Sequence, residues 1–276
     1  MGAALQVVHT FKQNATGTNP EALAAGSGDT LSVPNFEPGT RAWLLEAWAG
    51  NGAHACEFQI RSPFFHDNNR GIRMSYMFNP TLSGADGDPQ FIFGEHVRQA
   101  LYRTDTLIVE TTCTAADNVA LDYLMYVENL QGADMQLVSW QTIEAIIVNM
   151  VGIRVSVTAG ATGDYGTAVA LNNTDARLQA NTNYAILGAQ SQLPCGLLTF
   201  KGFETSSRRL GLPLFWNQRI SWDFFVNLSK RFGIPCIPVV NANNAGNMLL
   251  EAADAATNVA TAATINLAEL PPTFNP

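Results

Sequence analysis

The stretch Asp117-Asn118-Val119-Ala120-Leu121-Asp122-Tyr123-Leu124-Met125-Tyr126-Val127-Glu128-Asn129-Leu130 constrains this chain more than any other. Its odd-numbered residues, Val119, Leu121, Tyr123, Met125 and Val127, form one apolar face behind an Asn-led turn. Alternation of that length reads as a β-strand with one buried face. The pattern returns 140 positions later, as Thr257-Asn258-Val259-Ala260 running on to Glu269-Leu270. There the same parity carries Val259, Thr261, Ala263, Ile265 and Leu267.

Other fragments recur in the same order. Ala161-Thr162-Gly163 repeats Ala15-Thr16-Gly17, and Tyr184 to Ala189 takes the place of Trp43 to Trp48. Cys195 stands 139 after Cys56, and Arg209 stands 139 after Arg70. The offsets drift from 146 near the start to 140 near the end, as loop insertions and deletions would leave them. The pattern predicts a duplicated domain in which Cys56 superposes on Cys195 and Asn118 on Asn258.

Each unit holds several short strands, with turn signals about every 8 to 12 residues, the spacing of an antiparallel sandwich or barrel. Helix-period segments do not alternate with the strands, which excludes a βαβ Rossmann arrangement. The expected fold is mainly β: two tandem antiparallel β-sandwiches, jelly-roll-like by preference and simple Greek-key next. Residues 1–132 form the first domain, 133–152 the linker, and 153–276 the second domain with a proline-ended arm. Leu137, Trp140, Ile143, Ile146, Ile147 and Met150 recur at steps of three and four, which predicts a linker helix. The β-branched run Ile146-Ile147-Val148 leaves a pair of short strands as the alternative. Trp222, Phe225, Leu228 and Phe232 give a second helical spacing within Ser221 to Phe232.

At 276 residues the chain suits two ordinary domains, and 47% hydrophobic against 14% charged residues excludes disorder. So little charge fits either a neutral polar exterior or a surface buried against other subunits. The net charge is −8, with Lys12, Lys201 and Lys230 as the only lysines. Arg208-Arg209 and Lys230-Arg231 are isolated pairs that read as solvated or salt-bridged surface residues. Direct nucleic-acid binding is therefore not expected. The start of the chain lacks the basic and apolar segments of a signal peptide, and no apolar run is long enough to span a membrane. The expectation is synthesis in a cytoplasm, so the Asn-x-Ser/Thr triplets at Asn14, Asn172 and Asn227 carry no glycosylation reading. Cys56, Cys113, Cys195 and Cys236 form no Cys-x-x-Cys pair and are expected as free thiols.

No catalytic constellation is present. A nucleophile elbow of the Gly-x-Ser-x-Gly type is missing, and Gly26-Ser27-Gly28 has the wrong spacing. His9, His54, His66 and His96 lack metal-ligand spacing, and Glu95-His96 diverge as neighbours. Asp86-Gly87-Asp88 suits a hard cation but lacks the further ligands of a calcium loop, so it reads as a solvated turn. Trp43, Trp48, Trp216 and Trp222 raise the option of a sugar-stacking platform. Trp43 and Trp48 have opposite parity on one strand, which separates them onto two faces. No catalytic residue, cofactor site or metal site is expected.

Several stretches resemble bacteriophage structural proteins: Tyr184-Ala185-Ile186-Leu187-Gly188, Arg209-Leu210-Gly211-Leu212-Pro213, Trp222 to Ser229, Ile234-Pro235-Cys236-Ile237-Pro238-Val239-Val240-Asn241 and Tyr126 to Gly132. The resemblance implies a virion component with paired β-sandwich domains, made in a host cytoplasm. The implied partners are other copies of the chain, a trimer being favoured, and other virion proteins. The alternative is a two-domain carbohydrate- or ligand-binding module using the loops at 62–70, 79–90 and 202–208.

Overall fold

A computed structural model describes residues 2–17, 19–51, 54–64, 72–76, 98–130, 135–171, 178–191, 195–202, 208–214, 221–255 and 260–274. The chain is mainly β, and its strands pair antiparallel. The first half contributes β1 (Gly2–Ala15), β2 (Glu21–Ala22), β3 (Ala24–Ala25), β4 (Arg41–Asn51) and β5 (Cys56–Arg61). It continues with β6 (Ile72–Tyr76), β7 (Gln99–Leu101), β8 (Ile108–Cys113) and β9 (Asp117–Leu130). Then come β10 (Leu137–Val138), α1 (Trp140–Ile143), β11 (Asn149–Thr158), β12 (Val169–Ala170), β13 (Asn183–Ser191) and β14 (Cys195–Lys201). The chain closes with β15 (Leu210–Leu214), α2 (Phe224–Phe232), β16 (Ile237–Asn241), β17 (Leu249–Ala253) and β18 (Ala260–Glu269).

Four sheets result. The first half forms β3-β1-β9-β4-β7 and β2-β8-β5-β6; the second forms β11-β18-β13-β16-β10 and β12-β17-β14-β15. Strand for strand, β1-β9-β4-β7 and β11-β18-β13-β16 share one order, as do β2-β8-β5-β6 and β12-β17-β14-β15. A bulge also recurs at the same place in the two larger sheets. Leu45 is the extra residue of β4 against β9, and Leu187 is the extra residue of β13 against β18.

The odd-numbered face of the opening stretch lines the first core, where Val119, Leu121, Tyr123, Met125 and Val127 meet Val8, Leu44 and Phe58. In β18, Thr261, Ala263, Ile265 and Leu267 are likewise buried. Asn258 and Val259 lie outside the described residues. The expectation of one buried face fails for β9. Its even-numbered Leu124 and Tyr126 join Leu5, Val7, Leu45 and Trp48 in the other core cluster, together with the interior of the second half. The sheet β1-β9-β4 is thus sandwiched twice, once within its own half and once against the other.

The linker departs from the expected helix. Among its described residues only Trp140–Ile143 is α-helical, and by Asn149 the chain has entered β11, which pairs with β18 over ten residues. The β-branched Ile146 to Val148 and the long ladder available on β18 outweigh the helical spacing. The second helical spacing is realised as α2, which ends at Gly233 in a left-handed conformation with Lys230 and Arg231 in its last turn. Leu270 is buried, and the Asn183 Nδ2 donates to the Phe274 carbonyl at 3.0 Å, so the stretch expected as an arm lies on its own chain as far as Phe274.

The cysteine expectation is overturned in part. Cys56 and Cys113 face one another across β5 and β8 and form a disulfide, their Cα atoms 4.2 Å apart. Directly opposed residues of an antiparallel pair bring Cβ atoms within bonding reach, a relationship that spacing along the chain does not disclose. Cys236 is a free, buried thiol.

Candidate functional site

The chemistry of this chain concentrates where the two halves meet. His9 on β1 and Asp122 on β9 are paired in the ladder, and both side chains point out of the first half. His9 Nδ1 lies 2.6 Å from Asp122 Oδ1, and Nε2 lies 2.7 Å from the Gly163 carbonyl of the second half. Both ring nitrogens therefore face acceptors, so the His9–Asp122 pair holds a shared proton besides the one on Nε2. Burial pulls the His9 pKa down, but the charge and hydrogen bond of Asp122, the Gly163 carbonyl and the charge of Asp29 outweigh it and raise it above 6.5.

Asp29 is the hub of the network. Its Oδ2 accepts from the His9 backbone N–H at 2.9 Å and from the Tyr165 hydroxyl at 2.6 Å. Its Oδ1 accepts from Arg209 Nη1 at 2.9 Å. Arg209 donates its Nε to Glu251 Oε2 at 2.9 Å, and its guanidinium lies over the Tyr165 ring at 4.1 Å. Lys201 Nζ pairs with the other oxygen of Glu251. Nearby, Asp164 accepts from the backbone N–H groups of Ser27 at 2.9 Å and Tyr165 at 2.7 Å, and from the Ser27 hydroxyl. A backbone bond from Val7 N–H to the Arg209 carbonyl, 2.8 Å, ties β1 to the start of β15.

The other side of the junction is built on α2. Trp48 packs edge-on against Phe224, with centroids 5.9 Å apart, and its Nε1 donates to the Gly196 carbonyl at 3.2 Å. Arg231 Nη1 donates to Glu46 Oε1, while Glu46 Oε2 has no hydrogen-bond partner among the described residues. Burial drives the Glu46 pKa up to about 8, although Arg231 pulls the other way. Contact geometry alone suggests a permanent ion pair, but burial of the carboxyl favours the protonated acid at neutral pH. Gly188 admits the chain that leads into α2, because a Cβ there would stand 2.2 Å from the Ser221 carbonyl oxygen.

The centre of the network is sealed. His9 is 0% exposed and Asp122 is 2% exposed, so a small molecule has no approach to the pair in this conformation. What the arrangement does chemically is to fix one half against the other by charge-assisted hydrogen bonds in a setting where an unpaired charge is costly.

The structure redistributes the residues singled out in the sequence. His54 stands apart from His9, its Nδ1 3.8 Å from Asp117 Oδ2. His66, His96, Glu95, Asp86, Asp88 and Trp216 lie outside the described residues, as do most of the loops at 62–70, 79–90 and 202–208. No group of three or more His, Cys, Asp or Glu able to hold a metal ion occurs among the described residues. Arg209 is not a surface residue, since its side chain is only 11% exposed. Lys230 lies over the Trp140 ring at 4.7 Å. The parity argument for Trp43 and Trp48 fails because the Leu45 bulge between them inverts the alternation. Both pack into the junction core. No local pattern marks Asp29 or Glu46, whose arginine partners lie 180 and 185 positions away.

No protein-family description matches the chain, and no curated protein does. Among solved structures, a chain from work titled "Life in the extremes: atomic structure of Sulfolobus Turreted Icosahedral Virus" aligns at 5% identity. The alignment covers 97% of this chain and 90% of that one, with a TM-score of 0.20, and at that score the likeness carries no argument.

Proposed function

We propose that this chain is a structural, self-assembling component of a virus particle, built from two jelly-roll sandwiches that arose by duplication. Domains 1–132 and 153–276 then flank a linker at 133–152. The duplication is supported by the shared strand orders and by the matching bulges at Leu45 and Leu187. Registers add a third agreement: Arg61 and Glu110 form a two-bonded ion pair across β5 and β8, where Lys201 and Glu251 pair across β14 and β17.

The observation that carries the assembly reading is the polarity of the junction. One face of the first half's larger sheet packs against β14, β15 and α2 of the second half, which are different elements. A contact between unlike faces is heterologous; repeated between copies it gives a ring where the rotation closes and an open filament where it does not. In this reading the chain acts by packing rather than catalysis, its partners are further copies of itself, a trimer being favoured, and other virion proteins. It resides in the virion after synthesis in a host cytoplasm. No helix among the described residues is long and apolar enough to cross a membrane.

A second reading, a carbohydrate- or ligand-binding module, rests on one feature. Phe64, within the 62–70 loop, and Tyr102 are 62% and 51% exposed and stack with centroids 5.6 Å apart. Electron microscopy of the purified chain separates the readings. Rings, shells or tubes support assembly; a monodisperse monomer that is retained on a glycan array and loses retention on Tyr102→Ala overturns it.

A further inference from the structure

The two acceptors that His9 meets belong to different halves. Nδ1 meets Asp122 Oδ1 on the neighbouring strand β9, and Nε2 meets the Gly163 carbonyl in the turn after β11. A protonated imidazole donates to both, whereas a neutral one has a single N–H. Loss of the proton therefore leaves one lone pair facing an acceptor. On Nδ1 it would face a buried carboxylate; on Nε2 it faces only a carbonyl dipole. The remaining hydrogen stays on Nδ1, where the charge-assisted bond is stronger. The bond given up is the one that crosses the junction.

The groups around the ring leave it as the one that responds. Asp29 faces it from the segment after β3, and Asp164 and Tyr165 from the turn after β11. Arg209 stands behind Asp29 and is joined to Glu251, which also holds Lys201. Phe11 stacks on the ring from its own strand, and β4 adds the neutral Trp48 opposite Asp122. Burial raises the Asp164 pKa, but its bonds from Ser27 and Tyr165 outweigh that and hold it below 3.8. Burial and the charge of Asp29 hold the Tyr165 hydroxyl well above 10. Both keep one protonation state from about pH 5 to 9, while an imidazole changes within that range.

The element held by Nε2 is small. The 160–166 turn is closed by the Gly160 N–H on the Asp164 carbonyl at 3.1 Å, and Gly163 sits at φ +88° against Phe11. Besides His9, the bonds Ser27–Asp164 and Tyr165–Asp29 tie it to the first half. Ala161 and Thr162 at its tip are exposed. Opening it breaks these few bonds and leaves the apolar junction core in place, the scale of a local opening.

We propose that His9 is a proton-operated latch between the halves: protonated, it holds the 160–166 turn against the first half, and neutral, it keeps Asp122 and releases Gly163. The latch goes beyond the assembly reading and does not depend on it. With the turn open, Nε2 meets water, which donates or accepts equally well. The closed turn therefore binds the proton more tightly than the open one. Closure is firmest below about pH 6.5 and weakens as pH rises through the closed-state value, which lies above 6.5.

The test is amide hydrogen exchange of the full chain, read by NMR at Ser27, Tyr165 and Gly166 from about pH 5 to 9 and corrected for intrinsic rates. One proton lost on opening makes protection fall by up to about tenfold per pH unit above about pH 6.5. Amides of the β11–β18 ladder stay more protected throughout. Glu46→Gln, which removes the other junction acid, shows the same fall, and Asp122→Asn, which removes the anion that keeps the proton, flattens it. A level wild-type profile, turn amides that exchange only together with the ladder, or a fall that disappears in Glu46→Gln or persists in Asp122→Asn overturns the latch. Imidazole nitrogen NMR of wild type decides if Asp122→Asn does not fold. The latch expects neutral His9 to carry its hydrogen on Nδ1, and a hydrogen on Nε2 rejects it.

Discussion

His9 Nδ1 and Asp122 Oδ1 lie 2.6 Å apart on neighbouring strands of the first half, yet the pair is completed by the Gly163 carbonyl of the second. A buried pair of this kind serves the junction only while it holds its proton. The folded His9 pKa is raised above 6.5, so folded protein binds the proton more tightly than unfolded protein. The stabilisation is complete below about pH 6.5 and is lost as pH rises through the folded value. We predict that the stability difference between wild type and Asp122→Asn, from urea unfolding at a series of pH values, favours wild type most at pH 5 to 6 and shrinks above. A difference that grows with pH contradicts this. His9→Ala, which leaves Asp122 buried without its partner, costs about 3–5 kcal/mol at pH 6.

Glu46 gives the opposite substitution effect. Its pKa, pushed up to about 8, means that the folded state resists ionisation from 4.5 upward. Wild type therefore loses stability between pH 4.5 and 8, and Glu46→Gln does not. The variant should match wild type near pH 4 and exceed it by about 1–2 kcal/mol at pH 8. Destabilisation of Glu46→Gln across that range would show that a charged Glu46–Arg231 pair holds α2 in place instead.

Gly211 tests the packing of the halves without touching charge. A Cβ there would lie 2.6 Å from Val7 Cγ1 and 2.9 Å from Leu197 Cδ1. Gly211→Ala should cost about 1–3 kcal/mol by overpacking. Val7→Ala should recover part of that loss in the double variant, a coupling of about 0.5 kcal/mol or more. Strict additivity would mean that Val7 and Gly211 do not meet.

The disulfide predicts a mass. With Cys56 and Cys113 joined, alkylation of unfolded, unreduced protein should add two groups, and four only after reduction. Four additions without reductant would return both residues to thiols.

What the sequence disclosed follows from locality. The period-2 face of Val119 to Val127 was legible because it depends only on neighbours along one strand. The second buried face was not, because Asp122 interrupts Leu124 and Tyr126 on that side and reads as solvent-facing. Its partner His9 is 113 positions away. The Leu45 bulge leaves no mark in the sequence, so strict parity puts Trp43 and Trp48 on different faces. Under the proposed duplication, the offsets read from the sequence miss those of the ladders by a residue or two. Matching Arg61–Glu110 to Lys201–Glu251 equates Cys56 with Gly196 rather than Cys195, and the β9 and β18 ladders equate Asn118 with Ala260. The helical spacing of the linker was real but weaker than a ten-residue ladder, which no local pattern announces.

The central claim is that this chain is made to associate with itself. Sedimentation velocity of the full chain at micromolar concentration tests it most directly. The account predicts a discrete closed oligomer, a trimer of the 29.8 kDa chain favoured, whose population rises with concentration. A single species at the mass of one chain, unchanged up to the highest soluble concentration, would contradict it.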